Sequence, residues 1–320
     1  MIVLTLVIPV YRNEGSIPDL VRAIAGIAAR CPEGFECVFV VDGSPDRSYE
    51  RLRDLLPNAP FAAKLVLLSR NFGSFAAIRV GLETGEGDRF AVMAADLQEP
   101  PELVTKMDET LRGGNVDVVV GAREAREDPW RDRTLSAIFW RLYRRFVVPD
   151  MPPGGVDVFA CNRIFRDTLL SMEERQSSLV AQIFWLGFRR ATVTYKRRKR
   201  LHGRSAWTFA KKLNYLLDSI FAFTDLPIRL LIGIGGAAVL ALGAIGLTAF
   251  FARLLGFIDV PGYTMSIIVT SFVGSVNLLG LGIVGAYAWR AYENTKQRPI
   301  AIPMSIKSFP GFAPEEGASP

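Results

Sequence analysis

A doubly wound α/β sheet is the fold class this chain predicts. Apolar runs of strand length recur through roughly the first 120 residues, segments with helical spacing separate them, and polar residues stand at each strand exit. Such alternation implies mostly parallel strands joined by helical crossovers, with ligands bound at the carboxyl edge.

The elements follow in order. Residues 2–10 are continuously apolar, lack a basic leading region and run into Pro9, so a strand is expected rather than a signal peptide. Tyr11-Arg12-Asn13-Glu14-Gly15 is a loop. Ser16 is placed to cap the next helix, with Asp19 in a variant capping box and Ile17, Leu20, Val21, Ile24 and Ile27 on the inner face. Residues 35–41 form a second buried strand closing on Asp42-Gly43-Ser44, and a helix follows through Leu56. A third strand, 64–68, ends in Ser69-Arg70-Asn71-Phe72-Gly73 before a helix over about 74–83. Residues 90–93 run into Asp96-Leu97-Gln98-Glu99-Pro100-Pro101, then come a helix over 101–112 and a strand over 116–120. Beyond Gly121 the pattern loosens. Arg123, Arg126, Arg131 and Arg133 precede a helix over 134–147, residues 151–155 are a flexible loop leading to Asp157, and 191–195 alternate as a half-exposed strand.

Composition removes several chemistries. His202 is the only histidine, which excludes a His-based triad or a multi-His zinc site. Cys31, Cys37 and Cys161 have neither metal nor redox spacing and read as reduced core residues of a cytosolic domain. The formal net charge is +6 but unevenly placed, with no acidic residue between Arg175 and Asp218.

The last third is apolar. A helix over 206–223 carries Trp207, Phe209, Leu213, Leu216, Leu217, Ile220 and Phe221 beside Lys211-Lys212, a pattern suited to the membrane interface. Residues 230–252 and 263–289 are uncharged and each long enough to span a bilayer. Arg253 is the one base between them, whereas Lys211, Lys212, Arg229, Arg290, Lys296 and Arg298 flank the pair. The excess of bases outside the pair places the large domain and both termini in the cytoplasm. The chain divides into a cytoplasmic domain (1–205), an interfacial helix (206–227), a two-helix hairpin (228–290) and a tail (291–320) that is disordered after Pro310.

Asp96 and Gln98 read in two ways. A carboxylate and a carboxamide oxygen at a strand exit suit a hard cation such as Mg2+, which fills its shell with phosphate and water. The plainer reading is a turn with a solvated Asp. Asp42 is equally double: it can accept from a base N–H or ribose hydroxyl, or cap a turn.

Five segments, in this order and before two apolar spans, resemble membrane-anchored polyisoprenyl-phosphate glycosyltransferases of glycosyltransferase family 2, similar to the dolichol-phosphate mannosyltransferases and bactoprenol glucosyltransferases. They are Val7-Ile8-Pro9-Val10-Tyr11-Arg12-Asn13-Glu14, Val41-Asp42-Gly43-Ser44, Ser69-Arg70-Asn71-Phe72-Gly73, Asp96-Leu97-Gln98-Glu99-Pro100-Pro101 and Gly203-Arg204-Ser205. The resemblance runs from Leu4 to about Ile302. It implies a GT-A-type, Rossmann-like, mostly parallel sheet followed by an interfacial helix and two transmembrane helices. It further implies inverting transfer from a nucleotide sugar, UDP favoured, to a polyprenyl phosphate for cell-envelope glycan or glycoconjugate modification. By that likeness Pro9, Tyr11, Glu14, Asp42 and Asp96 hold the nucleotide, and Asp96 and Gln98 hold Mg2+ or Mn2+. Asp157 lies at the reaction centre, with a cap before a strand as its plainer role. Arg123, Arg126, Arg197, Arg200 and Ser205 take phosphate or acceptor, although attraction of the basic run to anionic lipid accounts for it as well.

Two positions depart from the family pattern: Ala94 stands where the first metal-motif carboxylate is usual, and Ala206 where a Lys follows the Ser. They motivate the alternative of a non-catalytic nucleotide-sugar-binding membrane scaffold or sensor. A processive synthase would carry Gln-x-x-Arg-Trp, and no Arg-Trp dipeptide occurs. The expected partners are nucleotide sugar, polyprenyl phosphate and membrane, without nucleic acid. A homo-oligomer is compatible with all of these readings.

Overall fold

The structure is a computed structural model. It describes residues 2–124, 143–145, 148–152, 155–172, 174, 178–198, 219–221, 224, 226–255 and 263–311. The expected helices over 134–147 and 206–223 fall wholly or largely outside the described residues, as do Arg126, Arg200 and Ser205.

Every predicted strand and helix of the first 112 residues forms. In chain order they are β1 (Leu4–Val10), α1 (Ile17–Ala28), β2 (Phe35–Val41), α2 (Ser48–Leu55), β3 (Ala62–Leu68), α3 (Ser74–Thr84), β4 (Arg89–Val92) and α4 (Glu102–Arg112). Next come β5 (Val118–Arg123), β6 (Val156–Asn162), two short helices α5 (Arg163–Leu170) and α6 (Leu179–Trp185), and β7 (Arg190–Tyr195). The long apolar helices α7 (Leu226–Leu254) and α8 (Tyr263–Thr295) follow, then a last strand, β8 (Pro303–Phe309).

The eight strands form one sheet in the order β7-β5-β6-β4-β1-β2-β3-β8. Leu4, Leu6, Ile8 and Val10 alternate onto one face against Ile17, Leu20, Ile24 and Ile27 of α1 and Leu103, Val104 and Met107 of α4. Val7 points to the other face, where Ile78, Leu82, Phe165 and Leu169 cover it. Each such Leu, Ile or Phe contributes about 1.5–3 kcal/mol by leaving water, so helices whose intrinsic propensity is modest are held by the sheet.

Three expectations are refined. The sheet is mostly parallel in strand direction, with only β6 and β8 reversed, but mixed in its pairing: four pairings are parallel and three antiparallel. A parallel β6 would need the chain to return to the opposite sheet edge after β5; instead β6 begins beside the end of β5, where Ala122 pairs with Val156. Second, residues 303–309 do not trail as a tail but pair antiparallel with β3. Third, Ser16 does not cap α1 through its side chain. Its hydroxyl donates to the Asn13 and Ala95 carbonyls, both at 3.0 Å, tying the β1 loop to the β4 loop.

The far edge of the sheet is pinned by charge. Asp117 accepts from Arg189 Nε at 2.9 Å and Nη2 at 2.8 Å and from Asn162 Nδ2 at 3.0 Å. The forked Arg189 contact foremost holds the Asp117 carboxyl below the usual carboxylate range.

Candidate active site

Strand direction gathers the functional residues. β1, β2, β3, β4, β5 and β7 all end on one sheet edge, and β6 and β8, running the other way, begin there. That edge carries Pro9 to Glu14, Asp42, Ser69 to Gly73, Asp96, Gln98, Arg123, Asp157 and Arg197. It is the edge at which open α/β sheets bind ligands.

The β1 and β2 exits form one cross-stitched unit. Arg12 N donates to Ser44 Oγ at 2.8 Å, Asn13 N to Ser48 Oγ at 3.1 Å and Glu14 N to Asp46 Oδ2 at 3.1 Å. Arg12 has φ 57°, a left-handed conformation costly for a non-glycine residue and held here by that stitching. Asp46 is the node. Burial pushes its carboxyl up, but hydrogen bonds from Ser44, Ser48 and the Glu14 and Ser48 amides outweigh that and leave it below the usual range. Glu14, expected on the nucleotide, accepts from Arg47 N at 3.2 Å and lies 3.7 Å from Arg51 Nε. Tyr11 is half-buried, with the Arg12 guanidinium 5.4 Å from its ring centre.

Asp42 ties the β2 exit to the β3 exit. Its buried carboxylate accepts Phe72 N at 2.7 Å and Gly73 N at 2.9 Å, at the start of α3. Burial raises its pKa, opposed by those two amide bonds. Gly43 has φ +55°, and a Cβ there would stand 2.3 Å from Arg70 C and 2.4 Å from Asn71 N. The β2 turn therefore presses directly on the β3-exit backbone. The Arg70 guanidinium sits 4.0 Å from the Phe72 ring centre.

The β4 exit is joined to the basic run. Leu97 has φ 54°, a strained bend between Asp96 and Gln98. Asp96 Oδ1 accepts Gln98 N at 3.2 Å. Gln98 Oε1 accepts from Arg197 Nη2, and Gln98 O accepts Arg198 N at 2.8 Å. Residues expected on the cation and on the acceptor phosphate are thus in contact. Arg123 closes β5 opposite Tyr195 of β7. Asp157 is the residue skipped where the β5–β6 register shifts.

The donor chemistry bears on the cation. This loop carries two carboxylates, Asp96 and the buried Glu99, Ala94 supplies none, and the Gln98 oxygen is engaged by Arg197. Among the described residues no group of three or more His, Cys, Asp and Glu could cage a metal. This set fits Mg2+ or Mn2+ only as an ion that keeps most of its shell for phosphate oxygens and water.

Residues 5–171 match the family described as Glycosyl transferase family 2, just over half of the chain. An uncharacterized glycosyltransferase of Synechocystis sp. is 30% identical over 301 residues, 93% of this chain and 94% of that protein. The chain belongs to glycosyltransferase family 2. A second relative of this family-2 glycosyltransferase is the undecaprenyl-phosphate 4-deoxy-4-formamido-L-arabinose transferase of Aeromonas hydrophila, 33% identical over 92% of this chain and 91% of that protein. Among solved structures, mannosyl-3-phosphoglycerate synthase from Rubrobacter xylanophilus is similar with TM-score 0.47 and 14% identity, covering 82% of this chain and 80% of that one. The family-2 match spans β1 to α5, the elements that carry every described site residue except Arg197.

Proposed function

We propose that this family-2 glycosyltransferase moves a sugar from a nucleoside diphosphate, UDP favoured, to a polyprenyl phosphate at the cytoplasmic membrane face, with inversion. One observation carries the reading. The chain leaves the sheet at the end of β7 toward the long apolar helices and returns from them at the start of β8, and both points lie on the edge that holds Asp96, Asp157 and Arg197. A lipid-borne acceptor held by those helices meets the site without leaving the membrane surface. The undecaprenyl-phosphate relative supports the same acceptor.

The membrane reading rests on further features. The stretch Phe272–Thr295, mean hydropathy 1.5, is the one long and apolar enough to cross a membrane among the described residues. Leu230, Ile232, Leu240, Leu247, Leu278 and Leu281 on α7 and α8 each expose more than half of their surface, which suits lipid and not water. Because β8 pairs with β3, any crossing by α8 requires a second one earlier in the chain, and α7 is the helix that supplies it. The bases flanking the pair put both termini on the cytoplasmic side.

The chemistry then asks little proton transfer of the protein. A phosphate monoester has its second pKa near ~6 and is already an anion at neutral pH. One of its oxygens attacks the anomeric carbon as the bond to the diphosphate oxygen breaks, and the electron pair leaves with the diphosphate. Asp157 orients the acceptor and stabilises positive charge growing at the anomeric carbon. Arg123 and Arg197, with Arg126, Arg200 and Ser205, hold phosphate. A Mg2+ or Mn2+ held by Asp96 would offset the charge of the leaving diphosphate.

The test is a screen of nucleotide sugars with the full chain in membranes and polyprenyl phosphate, reading lipid-linked sugar. Formation of that product from one donor is expected. Nucleotide-sugar binding with no transfer to any polyprenyl phosphate would turn the decision to the non-catalytic sensor.

A further inference from the structure

The segment after α8 builds part of the donor loop. Ile302 O accepts Ser69 N at 3.0 Å, which extends the β3–β8 ladder into the β3 exit past its register shift at Leu67/Leu68. Ala301, 9% exposed, and Ile300 pack in one apolar cluster with Val40, Leu68, Ala76, Ala77 and Phe72. The same Phe72 donates its amide to Asp42, and the same loop backbone lies against Gly43. Residues 69–73 are therefore fixed from two sides: by the β2 turn on one, and on the other by residues that begin five positions beyond the end of α8.

We propose that residues 300–302 are a positioning segment of the nucleotide site, so that donor binding depends on the chain beyond the last apolar helix. The inference rests on reading the Ser69 to Gly73 loop as a wall of that site. These residues touch no substrate; they act by setting where Phe72 and Gly73, and through them the Asp42 carboxylate, stand.

The probe is UDP on the full chain in detergent. Ala301→Leu overpacks the apolar cluster against which Phe72 sits. It is expected to weaken UDP binding about tenfold and raise the donor KM, with the acceptor KM unchanged. Met304→Ser, at an exposed position of β8, should match the unaltered protein. Unchanged UDP affinity in Ala301→Leu overturns the proposal, as does an equal loss for donor and acceptor. Should Ala301→Leu fail to fold, amide hydrogen exchange on the unaltered chain decides: UDP should slow exchange in 300–309 together with 69–73, and no slowing in 300–309 overturns it. Failure of the unaltered chain to bind any nucleoside diphosphate would instead remove the site reading beneath it.

Discussion

Gly43→Ala is the sharpest test of the donor-site geometry. The added Cβ would stand 2.3 Å from Arg70 C and 2.4 Å from Asn71 N, both backbone atoms that no rotamer change can move aside. Ordinary carbon contact starts near ~3.5 Å, so the β3-exit loop must retreat by about 1 Å. Two costs add: about 1 kcal/mol for a left-handed alanine, and about 1–3 kcal/mol for overpacking. A loss of roughly 2–4 kcal/mol in unfolding free energy is expected. The retreat also pulls Phe72 N and Gly73 N from Asp42, and a misplacement of about 1 Å costs on the order of 100-fold in turnover. Denaturant titration of the full chain in detergent reads the first effect, and donor kinetics the second. Gly26→Ala, on the exposed face of α1 with nothing within 4 Å of its Cβ, is the control and should stabilise by about 0.5–1 kcal/mol. If Gly43→Ala matches the unaltered protein in stability and donor kinetics, the close approach of the two loops is wrong.

Other outcomes follow from the same geometry. Asp96→Asn should abolish metal-dependent turnover while some nucleotide affinity persists in calorimetry; near-normal activity under chelation would make Asp96 structural. Metal and nucleoside diphosphate should tighten each other's binding by one common factor, since coupling is reciprocal. Arg197→Ala should raise the acceptor KM far more than it weakens nucleotide binding, and an equal loss would remove Arg197 from the acceptor. Asp117 has a lowered folded pKa, so it contributes stability above the unfolded carboxylate pKa and loses it as pH falls through the folded one. The stability gap between the unaltered protein and Asp117→Asn should therefore close below about pH 4 in pH-stepped denaturant titrations. Cys31, Cys37 and Cys161 are buried, so single cysteines at Gly256 and Ser308 report topology cleanly: an impermeant reagent outside the cell should label the first and spare the second.

Much of the fold was legible because its cues are local. Leu4 to Val10 and Phe35 to Val41 are buried on both faces, and Ile17, Leu20, Ile24 and Ile27 keep helical spacing. β6 was not legible. It is as long as β1 but holds Asp157 and ends on Asn162, and its antiparallel placement depends on where β5 ends. β8 hid for another reason: as an edge strand with Met304, Ile306 and Lys307 exposed, it lacks the buried alternation that marks a strand. At the site, strand-exit position named the right loops but not the side-chain partners. Nothing in Val41-Asp42-Gly43-Ser44 reveals that Asp42 reaches to Phe72 and Gly73, thirty residues on. Ser44, Asp46 and Ser48, which stitch the first two loops, signalled only as a run of turn-forming residues.

The β3–β8 pairing also sets an order of events during synthesis. β3 pairs with β2 on one side as soon as both emerge, but its other side waits for a partner made roughly 240 residues later. At typical ribosomal speed that interval is roughly 10–50 s. Through it the chain presents an unpaired strand edge, the feature by which partly made proteins adhere to one another. The apolar helices are made within the same interval, before the sheet is complete. A nascent chain that stalls after α8 has both long apolar helices but lacks the last strand of its sheet.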